Sequence, residues 1–423
     1  MSPSSYDLII VGGGIPGMTL ACGLQETGLT IAVVEAQSRQ QVANRPRAYA
    51  LSPLSAKIFQ TVGVWDQIAP DICHFSRVIL SDADCPHQVE FTPADVGEPA
   101  VYYCAEHRVL QQALQRQLAA SATVTCFYET RVQAVNYGAK LADVLVENSQ
   151  GQQRLLAPLV VAADGARSLV RQQAGIKTHS WSYWQSCITA FVSPAHIHQD
   201  IAYEKFWPSG PFAILPLPQN RCQVVWVAPH KEADAIASLP PAEFIAAMRQ
   251  RYGGGDLQLL GQPWVFTARL MHSRRYYGRR LALIGDAAHS CHPVGGQGLN
   301  MGIRDAALLC QILQTAQQNE KDLGNLNLLK WYGRRRRLEN SIILLFTDLL
   351  NRTFSHGWWP LVFARRCLLR LMIAWAPLRR LMLQLMTGLW GKRSFLGDKQ
   401  NEHRLRSVGH LFDSNQSQGD SKT

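Results

Sequence analysis

The first thirty-five residues constrain the fold more than any other part of the chain. Tyr6 to Val11 (YDLIIV) reads as a short buried strand. Gly12, Gly14 and Gly17 follow as G-x-G-x-x-G, then an apolar helix to Glu26, then a second strand from Thr30 to Val34 ending at Glu35. In such a unit the first glycine permits a tight turn, and the second lets a pyrophosphate approach the backbone. The third lets the helix pack on its strand. Glu35 stands where an acid hydrogen-bonds a ribose 2′-hydroxyl, which favours FAD or NAD over NADP. A lone G-x-G-x-x-G would be weak evidence. Strand, helix, second strand and terminal acid together carry the reading, and Pro16 is tolerated in the first turn of a helix.

A second stretch, Leu281 to Leu309 (LALIGDAAHSCHPVGGQGLNMGIRDAALL), repeats the strand–turn–helix theme late in the chain. Asp286 follows the strand, so its carboxylate can accept hydrogen bonds from a polyol or ribityl chain. Gly295, Gly296 and Gly298 leave backbone N–H groups unshielded before a helix N-terminus, a place suited to delocalised negative charge. Pro293 stiffens the approach. Between the two stretches, Leu155 to Ala163 reads as an apolar strand that runs into Asp164 and Gly165, with Arg171 on the following helix. Arg47 precedes a helix bearing Leu54, Ile58 and Phe59, and Arg108 opens another. Val124 to Phe127, Arg131 to Tyr137 and Ala142 to Glu147 read as an antiparallel excursion. From Trp181 to Ala228 period-two, aromatic-rich strands take over, which marks a mostly antiparallel sheet. The expected fold is α/β. A Rossmann-like domain is assembled from 1–72, 102–178 and 272–340, with a β-rich domain from 73–101 and 179–271. A helical region covers 341–395 and a polar, disordered tail covers 396–423.

At 423 residues the chain can bury a sizeable core. Its net charge of +11 is matched by one segment. From Lys330 to Gln400 fourteen lysines and arginines face three acids, amid tryptophan and leucine. That mixture predicts contact with a membrane surface through 341–390 and argues against nucleic acid. Arginines interrupt the segment too often for a spanning helix. The ten cysteines form no C-x-x-C pair, and Cys291–His292 lacks further ligands at metal-binding intervals, so no metal is expected. The N-terminus has no positive leader region. The protein is expected in the cytoplasm, at the inner face of a membrane.

G-x-G-x-x-G…Glu, a central DG turn and GDAAH…P…G-x-G-x-N together resemble the flavoprotein aromatic hydroxylases, of which p-hydroxybenzoate hydroxylase is a member. RAYALSP, GPFAILPL and the apolar basic tail resemble the ubiquinone-biosynthesis hydroxylases in particular. The resemblance implies FAD, held by Gly12, Gly14, Gly17, Glu35, Arg47, Arg108, Asp164 and Asp286. Pro293, Gly295, Gly298 and Asn300 would lie against the flavin ring. It further implies reduction by NAD(P)H or another donor that binds transiently, O₂, and a flavin hydroperoxide that hydroxylates a prenylated phenol or quinone precursor. A homodimer or a biosynthetic complex is compatible with it. No catalytic base is assigned, and Tyr183 and Tyr203 are candidates only through their place in the β-rich domain. An isoprenoid-lipid reductase or epoxidase, or a flavin-binding accessory subunit without turnover, remain alternatives.

Overall fold

The computed structural model describes residues 3–389, apart from 84, 254 and 388, so the polar tail expected from 396 lies outside the described residues. Three separated segments build the nucleotide domain. Its parallel sheet contains β1 (Leu8–Val11) and β2 (Ile31–Val34). It also takes in β7 (Val124–Phe127), β11 (Leu159–Ala162) and β17 (Leu281–Leu283). The parallel order is β17, β11, β1, β2, β7. Every residue of β1, β2, β11 and β17 is buried, as expected for parallel strands covered on both faces.

Two expectations change here. Val124 to Phe127 joins the parallel sheet beside β2, and the antiparallel excursion is instead β8 (Arg131–Tyr137), β9 (Ala142–Asn148) and β10 (Gly151–Ala157). The apolar run from Leu155 splits at Pro158, with its first half in β10 and its second in β11. Proline has no N–H to donate to a ladder, so it marks the exchange between the two sheets.

The second domain is an eight-stranded sheet. Its central strands are β12 (Thr178–Pro194), β13 (Ile201–Trp207), β14 (Gly210–Leu217), β15 (Arg221–Pro229) and β16 (Leu257–Ser273). The segment 73–101 contributes β4 (Arg77–Asp82) and β5 (Gln88–Phe91), and β4 pairs in parallel with β13. One face of this sheet packs on α4 (His230–Ala237) and α5 (Pro241–Tyr252), where Trp226, Phe244 and Met248 form a separate core. The other face turns towards the nucleotide domain, and Ala202, Phe206 and Leu217 belong to the principal core.

Four helices near the C-terminal side complete the molecule: α6 (Gln297–Gln318), α7 (Leu326–Phe354), α8 (Trp359–Ala374) and α9 (Ala376–Thr387). The boundary expected at 340/341 falls inside α7, whose Tyr332, Arg336 and Asn340 are all buried. Helices α8 and α9 are held inward by ion pairs. Asp82, 1% exposed, receives Arg365 and Arg366, while Asp95 receives Arg379 and lies 3.8 Å from Arg380. Arginines that read in sequence as a basic surface are therefore partly consumed within the fold. No described helix is long and apolar enough to cross a membrane.

Candidate functional site

The N-terminal turn is shaped by two backbone approaches. Gly12 has φ +112°, and a Cβ there would sit 2.3 Å from the Ala163 carbonyl oxygen at the end of β11. A Cβ on Gly17 would meet the Gly12 carbonyl oxygen at 2.2 Å. Both positions therefore need glycine to bring strand and helix together. Gly14 differs: a Cβ would meet nothing within 4 Å. It caps α1 (Ile15–Leu24), whose first turn has no side-chain cap, so backbone donors there remain available. Glu35 accepts from the backbone N–H groups of Gly13 and Gln37, each at 2.8 Å, which orients its carboxylate at the tip of β2.

Behind this turn stands α3 (His107–Ala119). Gln111 Nε2 donates to the Gly13 carbonyl at 2.6 Å, leaving its buried Oε1 without a partner. Sequence reasoning missed Gln111, because a glutamine on a helix face carries no motif. Arg108, expected at the site, is exposed at the start of the same helix. Its neighbour His107 is enclosed instead, with Nε2 2.7 Å from the Val42 carbonyl and Nδ1 3.1 Å from the Tyr49 hydroxyl. Burial pushes the His107 imidazole down to about 4.

The DG turn and the GDA turn meet through an arginine. Arg171, 6% exposed, donates to the Ala287 carbonyl at 2.8 Å and to the Ala166 carbonyl at 2.9 Å. Asp164 accepts from Val170 N–H, its other oxygen is buried without a partner, and burial raises its carboxyl. Asp286 opens to solvent between the two turns. The surrounding protein raises its carboxyl, while His289, Arg47 and Arg45 oppose that shift. The Arg47 guanidinium lies 4.5 Å over the Phe266 ring and 5.9 Å from the Tyr49 and Trp264 rings. Arg47 therefore joins the nucleotide domain to β16 as well as facing the Asp286 cleft.

A buried network fixes the GDA turn. Asp305, fully buried, accepts from Gly285 N–H at 3.0 Å and lies 2.6 Å from His289 Nε2. Its other oxygen accepts from Arg336 at 2.7 Å and from Asn340 at 3.0 Å. Burial alone would raise this carboxyl, but His289 and Arg336 overcome it and hold it at about 2. Asp305 lies inside the late glycine-rich stretch, where no local pattern gives it a role.

At the opposite end of the cleft the chain makes a left-handed turn at Gly295 (φ +67°) and Gly296 (φ +61°), next to a half-buried Pro293. A Cβ on Gly296 would press on Ala50, and one on Gly298 would meet Cys291 at ordinary contact distance. Asn300 uses its whole amide within the protein. It accepts from Ser52 N–H and the Ser55 hydroxyl and donates to the Ala50 and Gly296 carbonyls, all within 3.0 Å. Two groups from other elements converge on Gly295: Glu204 of β13 accepts its N–H at 3.4 Å, and Met386 of α9 would lie 2.9 Å from an added Cβ.

The two tyrosines singled out in the sequence lie elsewhere. Tyr183 donates its hydroxyl to Asp348 at 2.6 Å, and Tyr203 packs edge-on against Tyr252 on the helix-covered face of the sheet. Alternation along β13 turns Tyr203 away and its neighbour Glu204 inward. Cys73, His198 and Asp200 also cluster, but they satisfy one another. The thiol donates to Asp200 at 3.0 Å, while His198 uses Nε2 on the Leu217 carbonyl and Nδ1 on Asp200 N–H.

Residues 5–341 match the family model described as an FAD binding domain. A Synechocystis protein, slr1300, is 42% identical over 95% of this chain and 97% of its own length. Ubiquinone hydroxylase UbiL of Rhodospirillum rubrum is 35% identical over 89% of this chain and 88% of its own. Among solved structures, p-nitrophenol 4-monooxygenase PnpA from Pseudomonas putida superposes with a TM-score of 0.76. That match covers 91% of this chain and 99% of that one, at 19% identity.

Proposed function

The chain belongs to the FAD-binding-domain family that includes the ubiquinone-biosynthesis hydroxylases, and from that premise we propose that it hydroxylates the aromatic ring of a prenylated quinone precursor. It is an FAD-dependent monooxygenase. When bound, FAD supplies the redox chemistry, taking two electrons from NAD(P)H and passing them to O₂, so that one oxygen atom reaches the ring and the other leaves as water.

The observation that carries the assignment of the cofactor site is the open space at Gly14, in a turn where Gly12 and Gly17 are packed against backbone and Gly13 against the Glu35 side chain. A pyrophosphate fits there, on uncapped N–H groups at a helix N-terminus, where the helix dipole favours negative charge. In this reading Gly12 and Gly17 shape the loop and Glu35 takes the adenosine ribose. Gln111 Oε1 gains the partner it lacks, and Asp286 takes the ribityl chain. Arg47 contributes positive charge to the cleft, and Arg108 stands at its outer edge. Asp164 supports the cradle from beneath. The ring then rests against Pro293, Gly295 and Gly298, where backbone N–H groups can stabilise negative charge, with Asn300 holding the turn in place.

This assignment predicts that Asp286→Ala binds FAD more weakly by about 1–3 kcal/mol, roughly a 5- to 150-fold rise in Kd. Excess FAD should then restore most of the turnover. Full FAD occupancy without activity would instead give Asp286 a chemical role. The reaction class is tested by O₂- and NAD(P)H-dependent formation of a product one oxygen atom heavier. A reductase would add hydrogen, and an accessory subunit would turn over nothing.

We also propose that the outer face of α8 touches the membrane in which such a substrate dissolves. Leu369 and Met372 face inward with Arg365, while Trp358, Trp359, Phe363, Leu371 and Trp375 are exposed. No acid lies between Asp348 and Asp398. Because Arg365, Arg366 and Arg379 pair with Asp82 and Asp95, binding should be driven mainly by apolar burial. Co-sedimentation with anionic liposomes should therefore persist at high salt, whereas a mainly electrostatic attachment would be released. Absence of sedimentation at both salt concentrations would remove the membrane from the account.

A further inference from the structure

The inner face of β13 is formed by Ala202, Glu204 and Phe206. Ala202 and Phe206 are buried in the principal core, and Phe206 packs on Phe354 of α7 with ring centroids 4.2 Å apart. Across the sheet the register partners of Glu204 are Leu80 and Ala213, both apolar. A carboxylate is thus set in the middle of an apolar row. Among the described residues it forms no ion pair, and its hydrogen bond is the 3.4 Å contact from Gly295 N–H. An ionised group in such a place is costly to fold around, and such groups concentrate where chemistry uses them.

The surroundings define what it can do. Tyr102 is buried nearby, where burial and an ionised Glu204 both hold its phenol up, and its hydroxyl is within 3.4 Å of Gln297 Nε2. Behind it lies Arg304, buried, with Nε and Nη2 unpartnered and its guanidinium pushed down to about 10 by burial. The remaining charges on neighbouring elements are committed: Asp82 of β4 to Arg365 of α8, and Lys205 to the opposite face, over Trp207. Burial raises the Glu204 carboxyl to about 7, with the Gly295 N–H opposing that rise. His292, the nearby imidazole in the same turn, is held at about 3 by burial and is a poor acceptor.

We propose that Glu204 accepts the proton of the substrate's ring hydroxyl. The phenolic O–H bond breaks, the proton moves to a Glu204 carboxylate oxygen, and the electron pair stays on the phenolic oxygen. That pair enriches the ring carbons ortho and para to it, which are the carbons electrophilic oxygen attacks. The inference rests on the reading of this chain as a ring hydroxylase. A carboxylate that titrates near neutrality can take the proton as attack on the ring makes the hydroxyl acidic and, after the ring is oxidised, return it.

The test compares the wild type with Glu204→Gln and Glu204→Asp, all loaded with oxidised FAD, using a short-chain prenylphenol as probe. Glu204→Gln should bind the same probe with a similar Kd, with FAD content and Tm unchanged. In turnover, kcat should fall about 10²- to 10⁴-fold in the Gln variant with little change in KM. The acidic limb of its pH profile near 7 should vanish, and Asp should recover part of both signals. A Gln variant with the wild-type kcat and pH profile overturns the proposal while leaving the hydroxylase reading intact. A wild type that binds no phenol overturns both.

Discussion

Asp305→Ala is expected to lower the unfolding free energy by about 3–5 kcal/mol, because it strands a buried guanidinium. Arg336 is 1% exposed and would keep Glu339, Asn340 and the Met301 carbonyl but no buried carboxylate, while His289 and Gly285 N–H would lose their acceptor. Small domains are stable by about 5–15 kcal/mol, so this single loss is a large fraction of the total. The GDA turn should loosen with it, and FAD should leave at temperatures where the wild type retains it. Asp305→Asn should fall between the two, since an amide oxygen can still accept from Gly285. The same carboxylate sets an acid limit. Its folded value, about 2, lies below the ordinary 3.8, so its contribution is present above about pH 4 and is lost as pH falls towards 2. Thermal melts followed by flavin fluorescence check this, and an Ala variant that melts with the wild type would show that the network contributes nothing.

The second large effect is at Asp82. Asp82→Ala leaves Arg365 buried at 3% exposure without its carboxylate, a cost of about 3–5 kcal/mol if the helix stays docked. Detachment is the cheaper outcome, because α8 and α9 can swing out and hydrate the guanidinium. Limited proteolysis should then cut between α7 and α8 while the nucleotide domain stays folded. Met386 would leave Gly295, so FAD fluorescence should rise as water reaches the turn. Arg366→Ala should do far less, since Arg366 is about one-third exposed and its pair with Asp82 is partly hydrated. Equal protease resistance in Asp82→Ala and the wild type would mean that apolar packing of Leu369, Met372 and Leu383 alone holds these helices.

Much of the nucleotide domain was legible from local pattern. Gly12 and Gly17 follow from the needs of a strand–turn–helix, and four-residue apolar runs such as LIIV and LVVA announce buried parallel strands. The split at Pro158 was also available in principle, since a proline cannot sit within a ladder. Asn300 shows the limit. Its position in G-x-G-x-N was recognised, but only the fold shows that both ends of its amide clamp β3 (Ala48–Leu51) and the Ser52–Ser55 cap against α6.

The sequence by itself determined the elements whose signals are local. These are the G-x-G-x-x-G unit with Glu35, the GDAAH turn, the period-two change that marks the second sheet, and membership of the hydroxylase family. Only the tertiary structure decided which charges remain free. Asp82 and Arg365 are 283 positions apart, Asp305 and Arg336 are 31, and Glu204 and Gly295 are 91. No periodicity connects such pairs, because their partners are chosen by how sheets and helices stack. A count of arginines therefore read as a basic surface what the fold uses in part as internal pairs. The same stacking turned Tyr203 to the helix side of β13 and left Glu204, one residue on, facing the turn at Gly295.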